Sequence, residues 1–365
     1  MLKPLPPPAP FRPIRRRRHG ILRSRNVVLT LLIVLVLATY LKFRSGPTDP
    51  LHDDFSDLIA QEKEPGAVFK DLAVDLDTGV RGSQRITSSE PGLIVRRSAF
   101  VVASRKTEDT AWLKRFFPQW ERWIYYVDEP TAELSIPKNK GRESMVYLTF
   151  IIDNYDNLPD DVVFIHPTRF QWHNDDPDYD GLRMLRLFRL SYLRKEGYVN
   201  MRCVWVLGCP NEIKPLQQEG HHRDAVHAGE VYKKAFEDLF PQKPVPAAIG
   251  VSCCAQFAAT KEKILENPKR EYQRYRQWIL DTDHADDISG RIFEYSWHII
   301  FGKDPVHCPK ASECYCNVFG LCDLECYKDD SCEGRYALPP YSTLPKGWPR
   351  LDWNGKPREV STNDY

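Results

Sequence analysis

Short apolar runs that alternate with helical patterns constrain the fold of this chain more than any other feature of its sequence. Runs with the length and composition of buried strands occur at 98–104, 122–129, 161–167 and 201–210. Apolar residues recur with the period of a helix at 108–117, 142–158, 181–197, 260–281 (interrupted at Pro268) and 290–302. Because strands that alternate with helices form βαβ units, we predict an α/β fold with a mostly parallel sheet flanked by helices.

The N-terminus combines a basic segment with an apolar one. Residues 1–25 hold eight basic residues and no acidic one, and 26–43 follow with an uncharged, almost wholly apolar centre. The length of that centre is near the minimum for a helix that spans a bilayer. A basic segment that flanks such a helix stays in the cytosol. We therefore predict a signal anchor and a single-pass type II membrane protein of the Golgi or ER, with its folded domain in the lumen. A cleaved signal peptide is the alternative, but "ATYLKFRSG" lacks the small residues of a cleavage site.

Composition divides the rest of the chain into four parts. Residues 44–93 are polar, with acidic, Gly, Pro, Ser and Thr content, and predict a flexible stem. We place the luminal α/β domain at 94–306. A Cys-rich segment at 307–345 and a polar tail at 346–365 complete the chain.

All ten cysteines lie within 203–332, and six of them lie within 308–332. An even, clustered number in a chain that enters the secretory pathway indicates disulfides. Zinc is the alternative, because "CYC" and "CDLEC" resemble ligand pairs, although their spacing is irregular for a zinc ribbon or finger. The sequence does not determine the connectivity.

The loop that follows the third apolar run contains four aspartates. Asp175 and Asp176 carry hard oxygen ligands suited to Mn²⁺ or Mg²⁺. In sugar-nucleotide transferases such an ion neutralises the leaving diphosphate. The alternative is a solvated acidic turn, which we favour for Asp178 and Asp180.

The same loop carries candidate substrate-binding residues. His166 directly follows the apolar run, and Trp172, His173 and Asn174 precede the aspartates. Trp172 is suited to stack on a base or sugar, and His173 to contact a donor diphosphate or a metal. Packing of Trp172 over the sheet edge is the alternative.

Two further segments suggest chemistry. In "NKGRES", a helix begins at Arg142 and Glu143, where free N–H groups and an arginine suit a phosphate. An ordinary capped helix start is the alternative. In "GRIFEYSWHIIFG", Glu294 and His298 are four residues apart and would share one helix face. We expect Glu294 to be a general base and His298 to contact a metal or diphosphate; the alternative is a Glu–His hydrogen bond inside the core.

Several functional classes lose support because their motifs are missing. The chain has no Walker loop, G-x-G-x-x-G, G-x-S-x-G or H-E-x-x-H. We therefore expect no nicotinamide or flavin cofactor, and we expect no nucleic-acid partner. The oligomeric state does not follow from the sequence.

Several motifs, in order, resemble a fungal family of uncharacterised single-pass membrane proteins. They are "NKGRESMVYLTFIIDNYDNLPDDVVFIHPTRFQWHND", "GYVNMRCVWVLGCP", "QFAATKEKILENP" and "FEYSWHIIFG". The resemblance covers about residues 95–325. The family has no established activity, so the resemblance implies membership and no reaction.

A more distant resemblance is to GT-A-type glycosyltransferases, through the anchor, the stem and "QFAATKEKI". It implies a GT-A-like (Rossmann-like) domain that transfers a sugar from a nucleotide-sugar donor to a glycan of the secretory pathway. Those enzymes carry Asp-x-Asp directly after a strand, where this chain has His166 and Pro167. A non-catalytic lectin or scaffold is one alternative, and a metal-dependent hydrolase with His166, His173 and Asp175 as ligands is another.

Overall fold

The computed structural model describes residues 96–217, 229–339 and 343–358. The predicted cytosolic tail, membrane anchor and stem lie outside these residues. Within them, every helix is too short or too polar to traverse a bilayer.

A five-stranded sheet forms the centre of the described domain. Its strands are β1 Ser98–Ser104, β2 Glu121–Tyr126, β3 Asp161–Ile165, β4 Tyr198–Asn200 and β6 Phe257–Thr260. The order is β2-β1-β3-β6-β4, and only β6 runs against its neighbours. The mostly parallel sheet of the predicted α/β class is therefore confirmed. A separate pair joins β5 Gly250–Val251 to β7 Val306–His307.

Helices cover both faces of the sheet. They are α1 Ala111–Phe116, α2 Glu143–Asp153, α3 Gly181–Leu187, α4 Leu190–Glu196, α5 Gly229–Leu239, α6 Lys261–Leu265, α7 Lys269–Asp281, α8 Asp286–Glu294, α9 Trp297–Ile300 and α10 Ala311–Phe319. One core layer joins the sheet to α2, α5, α7, α8 and α9. The other joins it to α1, α3, α4 and α10. Since successive residues of a strand face opposite sides, Val101 enters the first layer and Phe100 the second.

The fourth strand lies in a different place from the predicted one. The strand is β4, and most of the apolar run 201–210 is a loop. The Asn200 side chain accepts a hydrogen bond from the backbone N–H of Arg202, which turns the chain out of the sheet. The run is apolar because it is buried beneath the domain surface, so its composition alone gave the wrong element.

Two predicted helices are each divided. The pattern 181–197 forms α3 and α4, because the Arg189 backbone N–H donates to the Val318 carbonyl of α10 instead of continuing the helix. The pattern 290–302 lies in α8 and α9, which are separated at Tyr295 and Ser296. The interruption at Pro268 is confirmed.

All ten cysteines are paired, which confirms the disulfide prediction over the zinc alternative. The pairs are Cys203–Cys314, Cys209–Cys308, Cys253–Cys254, Cys316–Cys322 and Cys326–Cys332. The Cys-rich segment also supplies α10 to the second core layer.

Candidate functional site

The candidate site lies at the edge of the sheet where the parallel strands end. Strand β1 has β2 on one side and β3 on the other, so the order of connection reverses there, which is where open α/β sheets bind ligands. The antiparallel β6 begins at this edge. The Gln256 side chain accepts from the His166 backbone N–H at 3.1 Å, which fixes the residue that follows β3.

Three ring side chains stack at this edge. The rings of His166 and His173 have centroids 4.0 Å apart, and those of Trp172 and His173 are 4.2 Å apart. Burial lowers the pKa of His166 to about 4 and lowers the pKa of His173 as well, so both rings are neutral at pH 7. His166 Nε2 donates to the Cys254 carbonyl at 3.0 Å. In the described part of the chain, the buried His173 Nδ1 has no hydrogen-bond partner.

Arg142 stands exposed at the start of α2. Its φ of 51° lies in a region that costs energy for a residue with a side chain, and such outliers concentrate at functional sites. Its backbone N–H donates to Asp286 of α8 at 3.2 Å. A Cβ at Gly290 would lie 2.9 Å from Arg142 Cγ, so α8 packs directly on the arginine stem. After burial, the charge of Arg142 also contributes to the lowered pKa of His166.

Glu143 and Glu294 form a coupled pair of carboxyl groups. Burial and then the charge of Glu294 raise the pKa of Glu143 to about 7. Glu294 accepts a hydrogen bond from the Cys254 backbone N–H, and Arg291 Nη1 lies 3.2 Å from its other oxygen. The pair thus combines a carboxyl group of raised pKa with one that is held by a backbone N–H and an arginine.

His298 is not brought to this site. The expected shared helix face is wrong, because α8 ends at Glu294 and His298 belongs to α9. His298 is fully buried and its Nε2 lies 3.0 Å from the Pro305 carbonyl oxygen. Neither the expected pairing nor a Glu–His hydrogen bond in the core is present. Burial lowers the pKa of His298 to about 3, so it is a neutral core residue.

Asp175 anchors the loop to two other parts of the fold. One carboxylate oxygen accepts from the Cys203 and Val204 backbone N–H groups at 2.6 and 3.2 Å, and the other accepts from the Tyr315 hydroxyl at 2.7 Å. Asp175 is 1% exposed. Both carboxylate oxygens of Asp175 therefore already accept hydrogen bonds from the protein.

Asp176 has a similar internal role. It is 1% exposed and accepts from the Asp178 and Asp180 backbone N–H groups. Burial raises its pKa to about 6. Among the described residues, the one cluster of three or more candidate metal ligands excludes Asp175 and Asp176.

Two other loop residues also differ from expectation. Asp180 was expected in a solvated turn, but it is 3% exposed, caps α3 and binds Arg169 at 2.7 Å, so that interpretation is wrong. Asn174 is buried, and its amide donates to the Arg169 and Tyr179 carbonyls. Asn174 therefore braces the loop from inside.

Sequence reasoning missed three contributors. Arg291 approaches Glu294 from the preceding turn of α8. The buried Arg202 donates to the Trp172 carbonyl at 2.9 Å and so holds the backbone that carries the ring stack. The adjacent cysteines Cys253 and Cys254 stand directly before "QFAATKEKI", and their adjacency is the signal that could have singled them out. Together with Glu294 they form the one cluster of possible ligand atoms found among the described residues, but both sulfur atoms are held in a disulfide and offer no thiolate to a metal.

Comparison with known proteins identifies the family to which the chain is similar. A family model described as "Protein of unknown function (DUF3431)" matches residues 100–317, which is more than half of the 365 residues. Neither the curated proteins nor the solved structures give a significant match. The matched range contains every residue of the candidate site.

Proposed function

We propose that the chain, which belongs to this family of proteins of unknown function, is a glycosyltransferase that moves a sugar from a nucleotide-sugar donor to a hydroxyl group of a glycan. The observation that carries the proposal is the Glu143–Glu294 pair beside Arg142 and Arg291. It combines a proton acceptor of suitable pKa with positive charge for a leaving diphosphate.

The donor diphosphate would bind at the start of α2. The positive end of the dipole of this eleven-residue helix favours an anion, and Arg142 lies exposed beside it. Arginine binds phosphate oxygens in a bidentate manner. The half-buried ring of Trp172, stacked next to His173, offers a face for the base or the sugar.

The Glu143–Glu294 pair would act as the general base. A base is most efficient when its pKa lies near the working pH, and the pKa of Glu143 is about 7. As the acceptor oxygen attacks the anomeric carbon, its proton passes to Glu143. The bond from that carbon to the diphosphate breaks, and the leaving charge develops towards the arginines. Glu294, first expected to be the base itself, would add its charge to the effect of burial in raising the pKa of Glu143.

Asp175 and Asp176 do not fit the divalent ion that the GT-A resemblance implies. The oxygens of Asp175 already accept from three protein donors, and both side chains are buried. The proposal therefore assigns the neutralisation of the diphosphate to Arg142 and Arg291. It expects transfer to persist in EDTA.

The proposed location is the lumen of the Golgi or ER, on the membrane anchor predicted at 26–43. Five disulfides support an oxidising compartment. Protease protection of the full-length chain in sealed microsomes tests this: the folded domain should resist protease until detergent is added.

Thermal unfolding of the detergent-purified full-length chain, with nucleotide-sugars added one at a time, tests the donor site. Ligand at about 100 times its Kd should add roughly 2.7 kcal/mol, a shift of a few degrees. Arg142→Ala should abolish the shift. Arg270→Ala is the matched control, because Arg270 is also exposed in the first turn of a helix, α7, and lies outside the site.

A transfer assay then tests the base. Glu143→Gln should keep the donor shift and lose transfer. Glu294→Gln should keep transfer but lower the pKa of Glu143, which moves the acidic limb of the pH–rate profile to lower pH. If no nucleotide-sugar shifts the unfolding temperature, with or without Mn²⁺, the non-catalytic lectin or scaffold becomes the better interpretation. Metal-dependent hydrolysis of a generic ester would instead favour the hydrolase.

A further inference from the structure

Adjacent cysteines form a disulfide directly beneath the candidate site. Cys253 and Cys254 are bonded to each other, and both are buried, in the segment between β5 and β6. Cys254 has a φ of 90° and the next residue, Ala255, a φ of 48°. Both values lie in the left-handed region that side chains disfavour. The disulfide therefore lies in a backbone segment of disfavoured conformation.

The backbone of Cys254 links the two halves of the site. Its N–H donates to the Glu294 carboxylate, and its carbonyl accepts from His166 Nε2 at 3.0 Å. The backbone of Cys254 thus positions both Glu294, of the carboxyl pair, and His166, of the ring stack. A change in the backbone at Cys254 would alter both contacts at once.

A buried positive charge lies next to both sulfur atoms. Arg202 is 3% exposed, and its Nη1 lies 2.7 Å from Cys253 Sγ and 2.7 Å from Cys254 Sγ. A nearby cation lowers the pKa of a thiol and stabilises a thiolate. Because disulfide exchange releases a thiolate, Arg202 makes either sulfur a better leaving group.

The other four disulfides close longer loops. They close sequence separations of 111, 99, 6 and 6 residues, whereas this one closes a separation of 1. A disulfide stabilises a fold more as the loop that it closes lengthens. Cys253–Cys254 therefore adds the least chain restraint, and its loss should leave the fold intact.

We propose that Cys253–Cys254 is a reversible redox site for a dithiol reductant, whose reduction disconnects His166 from Glu294. A thiolate of the reductant attacks one sulfur, forms a mixed disulfide and releases the other sulfur as a thiolate beside Arg202. The second thiol of the reductant then displaces the first sulfur and leaves as a disulfide. Two electrons and two protons end on the two cysteines. That reduction weakens donor binding rests on the proposed function; the redox site itself does not.

A redox titration of the full-length chain tests the site without any sugar ligand. The chain is equilibrated with stepped ratios of reduced to oxidised dithiothreitol, alkylated, and analysed by mass spectrometry. Cys253 and Cys254 should become alkylated at a ratio about tenfold lower than any other pair. NMR titration of His166 should change on reduction, while His284, which contacts Trp278 away from the site, should stay constant.

Variants separate the site from general effects of reductant. Cys253→Ser combined with Cys254→Ser should reproduce the reduced His166 signal and no longer respond. Cys316→Ser combined with Cys322→Ser is the matched control and should respond like the wild type. Reduction of Cys253–Cys254 only together with the other pairs, or without a change at His166, overturns the proposal.

If UDP-glucose stabilises the oxidised chain, reduction of Cys253–Cys254 should weaken the binding of UDP-glucose by about tenfold. If no nucleotide-sugar binds in either state while His166 still responds to reduction, only the proposed function fails.

Discussion

At the scale of single residues, the proposed chemistry depends on one carboxyl group whose proton is held more tightly than usual. Glu143 lies half-buried at the start of α2, where its neighbours Arg142 and Arg291 oppose the shift. Burial and the charge of Glu294 exceed their effect and raise the pKa to about 7. The folded chain therefore binds a proton at Glu143 that the unfolded chain releases near pH 4.5.

Glu143→Gln should change how stability depends on pH. Because the folded-state pKa is raised, ionisation of Glu143 destabilises the fold as pH rises from about 4.5 to about 7, and the cost is complete above that range. The variant lacks this cost, so its stability relative to the wild type should increase across the range, by at most about 3 kcal/mol. Urea unfolding at several pH values measures it. Glu266→Gln, at an exposed position, is the control; equal pH slopes for Glu143→Gln and the wild type would contradict the prediction.

The sequence identified several residues of the site but not how they meet. Arg142, Glu143, Glu294, His166 and His173 were recognised from local patterns, and the structure places them at one sheet edge. Glu294 and His166 are linked through Cys254, just before the antiparallel strand β6, which no local pattern predicted. Asp175 and Asp176 were predicted to be metal ligands because the composition of the loop shows that it contains carboxylate oxygens. Composition does not show that these oxygens already accept hydrogen bonds from backbone N–H groups.

At the scale of elements, the contact between α8 and the start of α2 sets the direction of the Arg142 side chain. Gly290 lies where a methyl group would approach the arginine stem to about 3 Å. Gly290→Ala should therefore displace Arg142 and weaken nucleotide-sugar binding by roughly tenfold. Because alanine favours helices, the free energy of unfolding should stay the same or rise by up to about 1 kcal/mol.

A double-mutant cycle tests whether Gly290→Ala acts through the arginine. In the Arg142→Ala background, Gly290→Ala should have no further effect on binding, since the displaced group is gone. Additive losses would show that Gly290 acts by another route.

The loop after β3 is held to α10 by one buried hydrogen bond. Tyr315→Phe removes the hydroxyl that Asp175 accepts at 2.7 Å and leaves the carboxylate buried, at a cost of about 1–3 kcal/mol. Tyr327→Phe is the matched control, because Tyr327 donates to Glu325 but is 76% exposed, and it should change little. Urea unfolding compares the two. Equal effects would argue that Asp175 is not a structural anchor.

Elements with a strong local period were predictable, and those determined by distant contacts were not. Strands β1 and β3 and helix α2 lie within their predicted ranges, and β2 begins one residue before its range. The short β4 and β6 depend on pairing with each other. The division of 181–197 depends on a carbonyl of α10, which is remote in sequence.

At the scale of the whole molecule, the long-range disulfide Cys203–Cys314 should stabilise the fold more than the local ones. It ties the loop after β4 to α10 across 111 residues, whereas Cys316–Cys322 spans 6. Closing a longer loop restricts the unfolded chain more, by about 2 kcal/mol for these two lengths.

Two double variants test this with equal losses of sulfur. Cys203→Ala with Cys314→Ala should lower the free energy of unfolding by about 2 kcal/mol more than Cys316→Ala with Cys322→Ala. The difference should be larger still if the former leaves a cavity, because Cys203 and Cys314 are buried in the second core layer. Thermal and urea unfolding of the full-length chain measure both. Equal losses would mean that α10 is held by packing alone, since the covalent tie would then add nothing beyond the apolar contacts.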